Sequence, residues 1–208
     1  VESWTRSTSQ SFIDTLAQIP LEFDPGSQWN YSVSTDVLGI LIERISGQSL
    51  PDYFREHIFA PLGMNDTFFT VPADKAARIP QGFAFDAETK MKLFDEDGAD
   101  SAWAKGWSFD SGGGGLASTV ADYHRFCRML LNGGALDSAR LLSPKTIELM
   151  TASHTSDLPG GGGSLIGAGG VFGLGFRVVT DIGAAQTLGS PGMYGWSGIY
   201  GTTFWVDP

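Results

Sequence analysis

The chain reads as an α+β fold in which an antiparallel sheet is flanked by helices. Three observations predict it. Capped stretches with apolar residues at helical spacing fill the front and middle of the sequence. After the glycine tract at 160–163 the period changes to that of strands, rich in β-branched and aromatic residues and separated by turn signals. The third is size: 208 residues, 42% of them hydrophobic and 17% charged, suffice to bury one substantial core, so residues 1–208 read as one domain or most of one. Helices first and a meander afterwards argue against a doubly wound parallel sheet.

The first helix is expected at residues 9–19, with Phe12, Ile13 and Leu16 at helical spacing before Pro20 ends it. The turn-rich run Phe23-Asp24-Pro25-Gly26-Ser27 follows, proline presetting φ and glycine permitting a positive one. It delivers Trp29-Asn30-Tyr31-Ser32 to the next helix, where Val37, Leu38, Leu41, Ile42 and Ile45 form one wide apolar stripe that stops at Gly47. Ser49 caps a further helix, with Pro51 in its first turn and Asp52 three residues after the cap, running through Tyr53, Phe54 and Ile58 to Pro61. Leu62-Gly63-Met64 then turns into a strand at 67–71. Residues 72–110 read as long, mostly solvated loops with short strands, acidic at Asp95, Glu96, Asp97 and Asp100.

Four glycines at 112–115 precede Leu116-Ala117-Ser118-Thr119, where Ser118 or Thr119 caps a helix marked by Val120, Tyr123, Cys127, Leu130 and Leu131 and ending near Gly133-Gly134. Ser143-Pro144 opens a shorter helix through Ile147 and Met150, because a serine cap followed by proline satisfies the terminal geometry. The tract at 160–163 reads as a flexible loop. Three antiparallel strands are expected at 171–180, 185–188 and 198–206.

Charge and composition exclude several functions. Thirteen Lys and Arg against 23 Asp and Glu give a net charge of -10, which repels phosphate backbones and removes nucleic acid as a ligand. No stretch approaches the roughly 18 apolar residues that a membrane span requires. Cys127 is the single cysteine, so neither an intrachain disulfide nor a cysteine-based zinc site can form, and its apolar helical setting predicts a buried thiol. His57, His124 and His154 have no second metal ligand at helical or finger spacing and read as surface or structural residues. The glycine tracts lack the Lys-Ser/Thr of a phosphate loop. The nucleophile elbow is absent, since Ile199 stands where its last glycine belongs in Gly195-Trp196-Ser197-Gly198-Ile199. Val1 in place of Met, and a strand only just completed at Pro208, read as cut ends; compartment, any signal peptide and oligomeric state are not legible.

Two segments stand out as carriers of chemistry. Tyr31 ends an irregular loop directly before the most apolar helix, which holds a phenol at a fixed point beside a rigid element; a core tyrosine with a hydrogen-bonded hydroxyl fits the same position. Gly195-Trp196-Ser197-Gly198 begins a strand pattern, where glycine lets a substrate or another backbone come close, and a bulge or tight packing fits equally.

The run from Phe23-Asp24-Pro25-Gly26 through Tyr31-Ser32, then Leu38-Gly39 to Ile45-Ser46-Gly47, then Ile58-Phe59-Ala60-Pro61-Leu62-Gly63-Met64, resembles the tyrosine-motif region of class C β-lactamases and the related family VIII esterases. Gly114-Gly115-Leu116-Ala117-Ser118-Thr119 with Asp122-Tyr123 and Phe126, and Gly195-Trp196-Ser197-Gly198 leading to Phe204-Trp205-Val206-Asp207-Pro208, are similar to later landmarks of the same β-lactamase-like serine hydrolase superfamily, in the same order. The resemblance covers nearly the whole chain.

It implies a β-lactamase/transpeptidase-like fold, with a helical and loop-rich subdomain forming the other wall of a cleft, and a reaction. A serine and a lysine one helical turn apart supply nucleophile and base in that superfamily, and a tyrosine, matched by Tyr31, shares the proton. A phenol titrates near ~10 when unperturbed, so it takes a proton at neutral pH only beside a cation. No serine here is followed three residues later by lysine. The resemblance therefore implies a nucleophile upstream, and a fragment that is inactive and marginally stable by itself.

Trp196-Ser197-Gly198 occupies the place of the Lys-Thr-Gly motif, and the N–H of Ile199 matches one oxyanion-hole donor. Trp196 offers an aromatic face where β-lactamases hold a lysine against the substrate carboxylate, and Val33 replaces the asparagine of the tyrosine motif. Both departures favour neutral small-molecule esters over charged β-lactams. No metal or organic cofactor is implied. The alternatives are a β-lactamase or D-amino-acid peptidase, a transesterase, and a non-catalytic ligand-binding member.

Overall fold

The computed structural model describes residues 8–158 and 163–208. The predicted flexible loop at 160–162 lies outside them. Helix α1 (Ser9–Leu16) starts at Thr8, whose hydroxyl accepts the Ser11 N–H while the Ser11 hydroxyl accepts the Thr8 N–H, and it stops short of the expected end. Helix α2 (Ser34–Ser46) ends where Gly47 turns left-handed at φ 72° and donates its N–H to Glu43. Ser49 caps α3 (Leu50–Phe54) by accepting the Asp52 N–H at 3.2 Å. The coil then widens into a π-helical turn, Arg55–Phe59, before α4 (Ala60–Leu62). The wider turn puts residues five apart on one face, and the Phe54 and Phe59 rings meet edge-on with centroids 5.9 Å apart.

The strand expected at 67–71 does not form. Phe68 makes a single antiparallel bridge with Ala117, and Val71 donates its N–H to Trp103 instead of to a neighbouring strand. Strands β1 (Gly82–Asp86) and β2 (Lys90–Asp95) pair as a separate, mostly exposed hairpin. Asp95 departs from the solvated acidic cluster expected there: it is buried, accepting the Ser101 hydroxyl at 2.7 Å and the Ala102 N–H at 2.9 Å at the start of α5 (Ala102–Lys105). Thr119 caps α6 (Val120–Leu131) by accepting the Asp122 N–H, which leaves Ser118 to bond Thr67 at 2.8 Å. The two-residue strands β3 (Ala135–Leu136) and β4 (Ala139–Arg140) make a small hairpin, and Ser143 caps α7 (Pro144–Met150) as its sequence demands.

Helix α8 (Gly163–Ile166) precedes the main sheet, whose strands β5 (Gly170–Phe172), β6 (Arg177–Val179), β7 (Tyr194–Ser197) and β8 (Thr203–Val206) lie antiparallel in chain order. The meander is as expected, but it has four strands, with other boundaries. Gly173 donates its N–H to Phe176 and folds the long first segment into two strands. Residues 185–188 are no strand, because Asp181 caps α9 (Ile182–Ala185) and Gln186 ends it at a positive φ of 50°. Gly198 donates to Thr202 at 2.8 Å, and this turn delays β8 to Thr203.

The chain divides into two compact units. The first comprises Val1–Ile19, Val33–Phe59 and Asn65–Asp122. Its core gathers Phe12, Ile40, Leu50, Phe59 and Phe69. Asp122 is buried within it and accepts the Asp66 N–H at 2.6 Å and the Thr67 hydroxyl at 3.0 Å, tying that loop to the first turn of α6.

In α2 the predicted apolar stripe is not the buried face. Gly39 and Ile40 face inward, whereas Leu38 and Ile45 are 54% and 78% exposed. Close approach of the glycine run decides this: a Cβ on Gly112 would stand 2.3 Å from the Thr35 carbonyl oxygen, and one on Gly39 would stand 2.9 Å from the Leu50 side chain. Asp36 accepts the Ser111 hydroxyl and, at 3.3 Å, the Gly113 N–H, which fixes the run in place.

The second unit comprises Pro20–Ser32, Ala60–Met64 and Tyr123–Pro208. The sheet packs Val178, Val179, Tyr194 and Val206 together with Leu62, Met129 and Leu130 in its core. Tyr123 of α6 lies 5.0 Å from Phe204 of β8, and Phe176 lies 5.2 Å from Tyr194, ring centre to ring centre.

Candidate active site

Strand β7 is built to bring β8 very close. Its register sets Gly195 opposite Trp205 and Trp196 opposite Phe204. A Cβ on Gly195 would stand 2.0 Å from the Phe204 carbonyl oxygen, so this position tolerates glycine alone. Period-2 alternation then sorts the strand: Tyr194 is buried and Ser197 is exposed, its hydroxyl 3.2 Å from that of Thr203. Gly198 begins the β7–β8 turn, and Ile199 stands in it, 88% exposed.

Tyr31 comes to this strand from the irregular loop before α2. Its ring stacks on that of Trp196, centroids 5.9 Å apart and planes 27° from parallel. The phenol and the tryptophan, the two features singled out by sequence, are thus in direct ring contact within the second unit. Val33 opens α2, where its carbonyl accepts the Val37 N–H at 3.1 Å; it belongs to the first unit.

Sequence reasoning missed two further members. Trp29 lies 6.4 Å from Tyr31 and 5.3 Å from Phe172, and Phe172 meets Trp196 edge-on at 5.6 Å. Trp29, two residues before the tyrosine, was legible as an aromatic neighbour; Phe172 carried no signal beyond its strand pattern.

Residues expected to be structural behave so. The His57 ring packs against Tyr53 at 4.3 Å, and a ring nitrogen of His154 lies 2.8 Å from the Leu149 carbonyl oxygen. Cys127 is half-buried, and burial pushes its thiol pKa up, away from a reactive thiolate. Burial likewise pushes Tyr123 and Tyr194 up to about 12, with the nearby Cys127 adding to both. Among the described residues no helix is long and apolar enough to cross a membrane.

A helix-flanked antiparallel sheet of this kind has the β-lactamase/transpeptidase-like fold. The chain belongs to the beta-lactamase family of hydrolases, which matches residues 2–208. It is similar to a putative D-alanyl-D-alanine carboxypeptidase of Escherichia coli O157:H7, with 32% identity over 94% of this chain and 46% of that protein. It is 30% identical to esterase EstB of Burkholderia gladioli over 92% of this chain and 50% of that enzyme. Among solved structures, EstCE1, described as a hydrolase with promiscuous acyltransferase activity, superposes with a TM-score of 0.81 at 25% identity, covering 97% of this chain and 54% of EstCE1. The chain spans about half the length of the curated relatives it matches.

Proposed function

We propose that the protein containing this chain is a serine hydrolase that cleaves neutral carboxylic esters through an acyl-enzyme. The observation that carries this reading is the stacking of Tyr31 on Trp196, which joins the tyrosine segment to the segment standing in place of Lys-Thr-Gly. A serine and lysine supplied by the rest of the protein complete the site. The serine oxygen attacks the ester carbonyl, Tyr31 takes the serine proton and returns it to the leaving alcohol, and water then releases the acid by the same route.

The Ile199 N–H donates to no protein acceptor among the described residues, which suits a donor kept for an oxyanion. Such a donor contributes roughly 3 to 4 kcal/mol in the transition state. Trp196, Ser197 and Gly198 shape that side, and neither the Trp196 ring nor the Val33 side chain supplies the charge or amide that would hold a β-lactam. The 208 residues alone, lacking the serine–lysine pair, are expected to turn over no ester.

The test uses the full-length protein with a short-chain nitrophenyl ester and a chromogenic cephalosporin. Ester hydrolysis is expected, falling roughly 10²- to 10⁴-fold in kcat for Tyr31→Phe with the fold intact. Efficient cephalosporin cleavage without ester hydrolysis overturns the esterase assignment. The Escherichia coli relative favours a second reading, a D-amino-acid peptidase sharing Tyr31, which release of D-alanine from a D-alanyl-D-alanine peptide would establish. The acyltransferase activity of EstCE1 makes product analysis with a competing alcohol the matching check for a transesterase.

A further inference from the structure

We infer that Phe172 and Trp29 are positioning residues for Tyr31, acting as a strut between the sheet and the tyrosine loop; the inference rests on the hydrolase reading above. The four rings close a cycle. Tyr31 touches Trp196, Trp196 touches Phe172, Phe172 touches Trp29, and Trp29 touches Tyr31, at centroid distances of 5.9, 5.6, 5.3 and 6.4 Å. Two of these rings sit on rigid backbone. Phe172 ends β5, where it donates its N–H to the buried Thr155 hydroxyl at 3.0 Å and its carbonyl accepts the His154 N–H at 3.0 Å. Trp196 is held in β7 by its register with Phe204.

The other two rings sit on a loop with little to fix it. Asn30 reaches Glu22 at 3.0 Å, but among the described residues nothing hydrogen-bonds the Tyr31 hydroxyl or its backbone groups. Ring packing therefore sets where the phenol oxygen points, and leaves that oxygen unengaged. Deleting the Phe172 ring removes the contact to both Trp29 and Trp196 at once, so the loop keeps one of its two links to the sheet. A group displaced by about 1 Å can lose on the order of 100-fold in rate.

The experiment is steady-state ester hydrolysis by the full-length protein and its variants, with unfolding midpoints and near-ultraviolet circular dichroism measured alongside. Phe172→Ala is expected to lower kcat about 10- to 100-fold with KM within about threefold, and to change the near-ultraviolet signal of the Trp29, Tyr31 and Trp196 rings. Phe172→Tyr should restore kcat to within about threefold, and Trp29→Ala should behave like Phe172→Ala. Should Phe172→Ala be too unstable to assay, Phe172→Leu, which keeps bulk without a ring, decides instead. A folded Phe172→Ala with kcat within twofold of the parent overturns the strut, as does an effect confined to KM or a Phe172→Tyr as impaired as the alanine variant. If Tyr31→Phe is fully active, the hydrolase reading fails separately; an altered near-ultraviolet signal in Phe172→Ala then still upholds the strut, and an unaltered one overturns it.

Discussion

Helix α2 and strand β7 carry comparable apolar patterns yet orient by different rules. In β7 the alternation chooses the buried side: Tyr194 goes in, Ser197 goes out, and Gly195 lets β8 close against it. In α2 the widest apolar stripe stays exposed, and the face that packs is the one bearing Gly39, where the glycine run approaches. Hydrophobic period identifies an element, but the closest backbone contact chooses its inner side when the two compete.

The sharpest way to break this comparison is to add a methyl at the two close approaches. Gly195→Ala and Gly112→Ala would each force a Cβ to within 2.0 and 2.3 Å of a carbonyl oxygen, and each is expected to cost about 3 kcal/mol or more in urea unfolding. A loss below about 1 kcal/mol would show that the backbone yields and does not dictate the face. Asp122→Ala comes next, at about 2 to 3 kcal/mol, because the Thr67 hydroxyl and Asp66 N–H lose the carboxylate that holds this loop away from a strand.

A pH titration sharpens the sheet side. Tyr123 and Tyr194 are raised to about 12 when folded, against an ordinary phenol near ~10. The folded state thus binds their protons more tightly, so their contribution to stability is complete below pH ~10 and is lost as pH rises toward about 12. Tyrosinate absorbance should show two of the chain's five tyrosines ionising only with unfolding; early ionisation of all five would refute it. Acid acts oppositely on Asp66, whose pKa is lowered by its bonds to Lys75 and Arg78: that contribution is present above the ordinary carboxylate range and disappears as pH falls through the depressed value. The smallest effect belongs to the exposed stripe, where Ile45→Lys should move stability by under about 0.5 kcal/mol; a larger loss would mean that the stripe is covered in the protein measured.

Much of the fold was legible because capping chemistry is local. Ser49 with Asp52, Ser143 with Pro144, and Gly47 all do what their positions require. The errors arose where long-range partners overrode local pattern. Residues 67–71 look like a strand, but Asp122 and Trp103 take their hydrogen-bonding groups. Asp95 looks solvated, but it is claimed by Ser101 and Ala102. At the candidate site Tyr31 and Trp196 were legible through their motif setting, while Phe172 became visible only when the sheet register and its ring contacts were known.

The widened turn at Arg55–Phe59 acts as a phase shifter along a single rod. A regular coil advances about 100° per residue, so losing one residue there would rewind the segment and spin everything downstream by about that angle. Leu62, wholly enclosed now, would swing toward water, and the Phe54–Phe59 pairing would dissolve. Chain length at this spot is therefore less negotiable than residue identity: swaps among its exposed side chains should be absorbed, and single deletions should not.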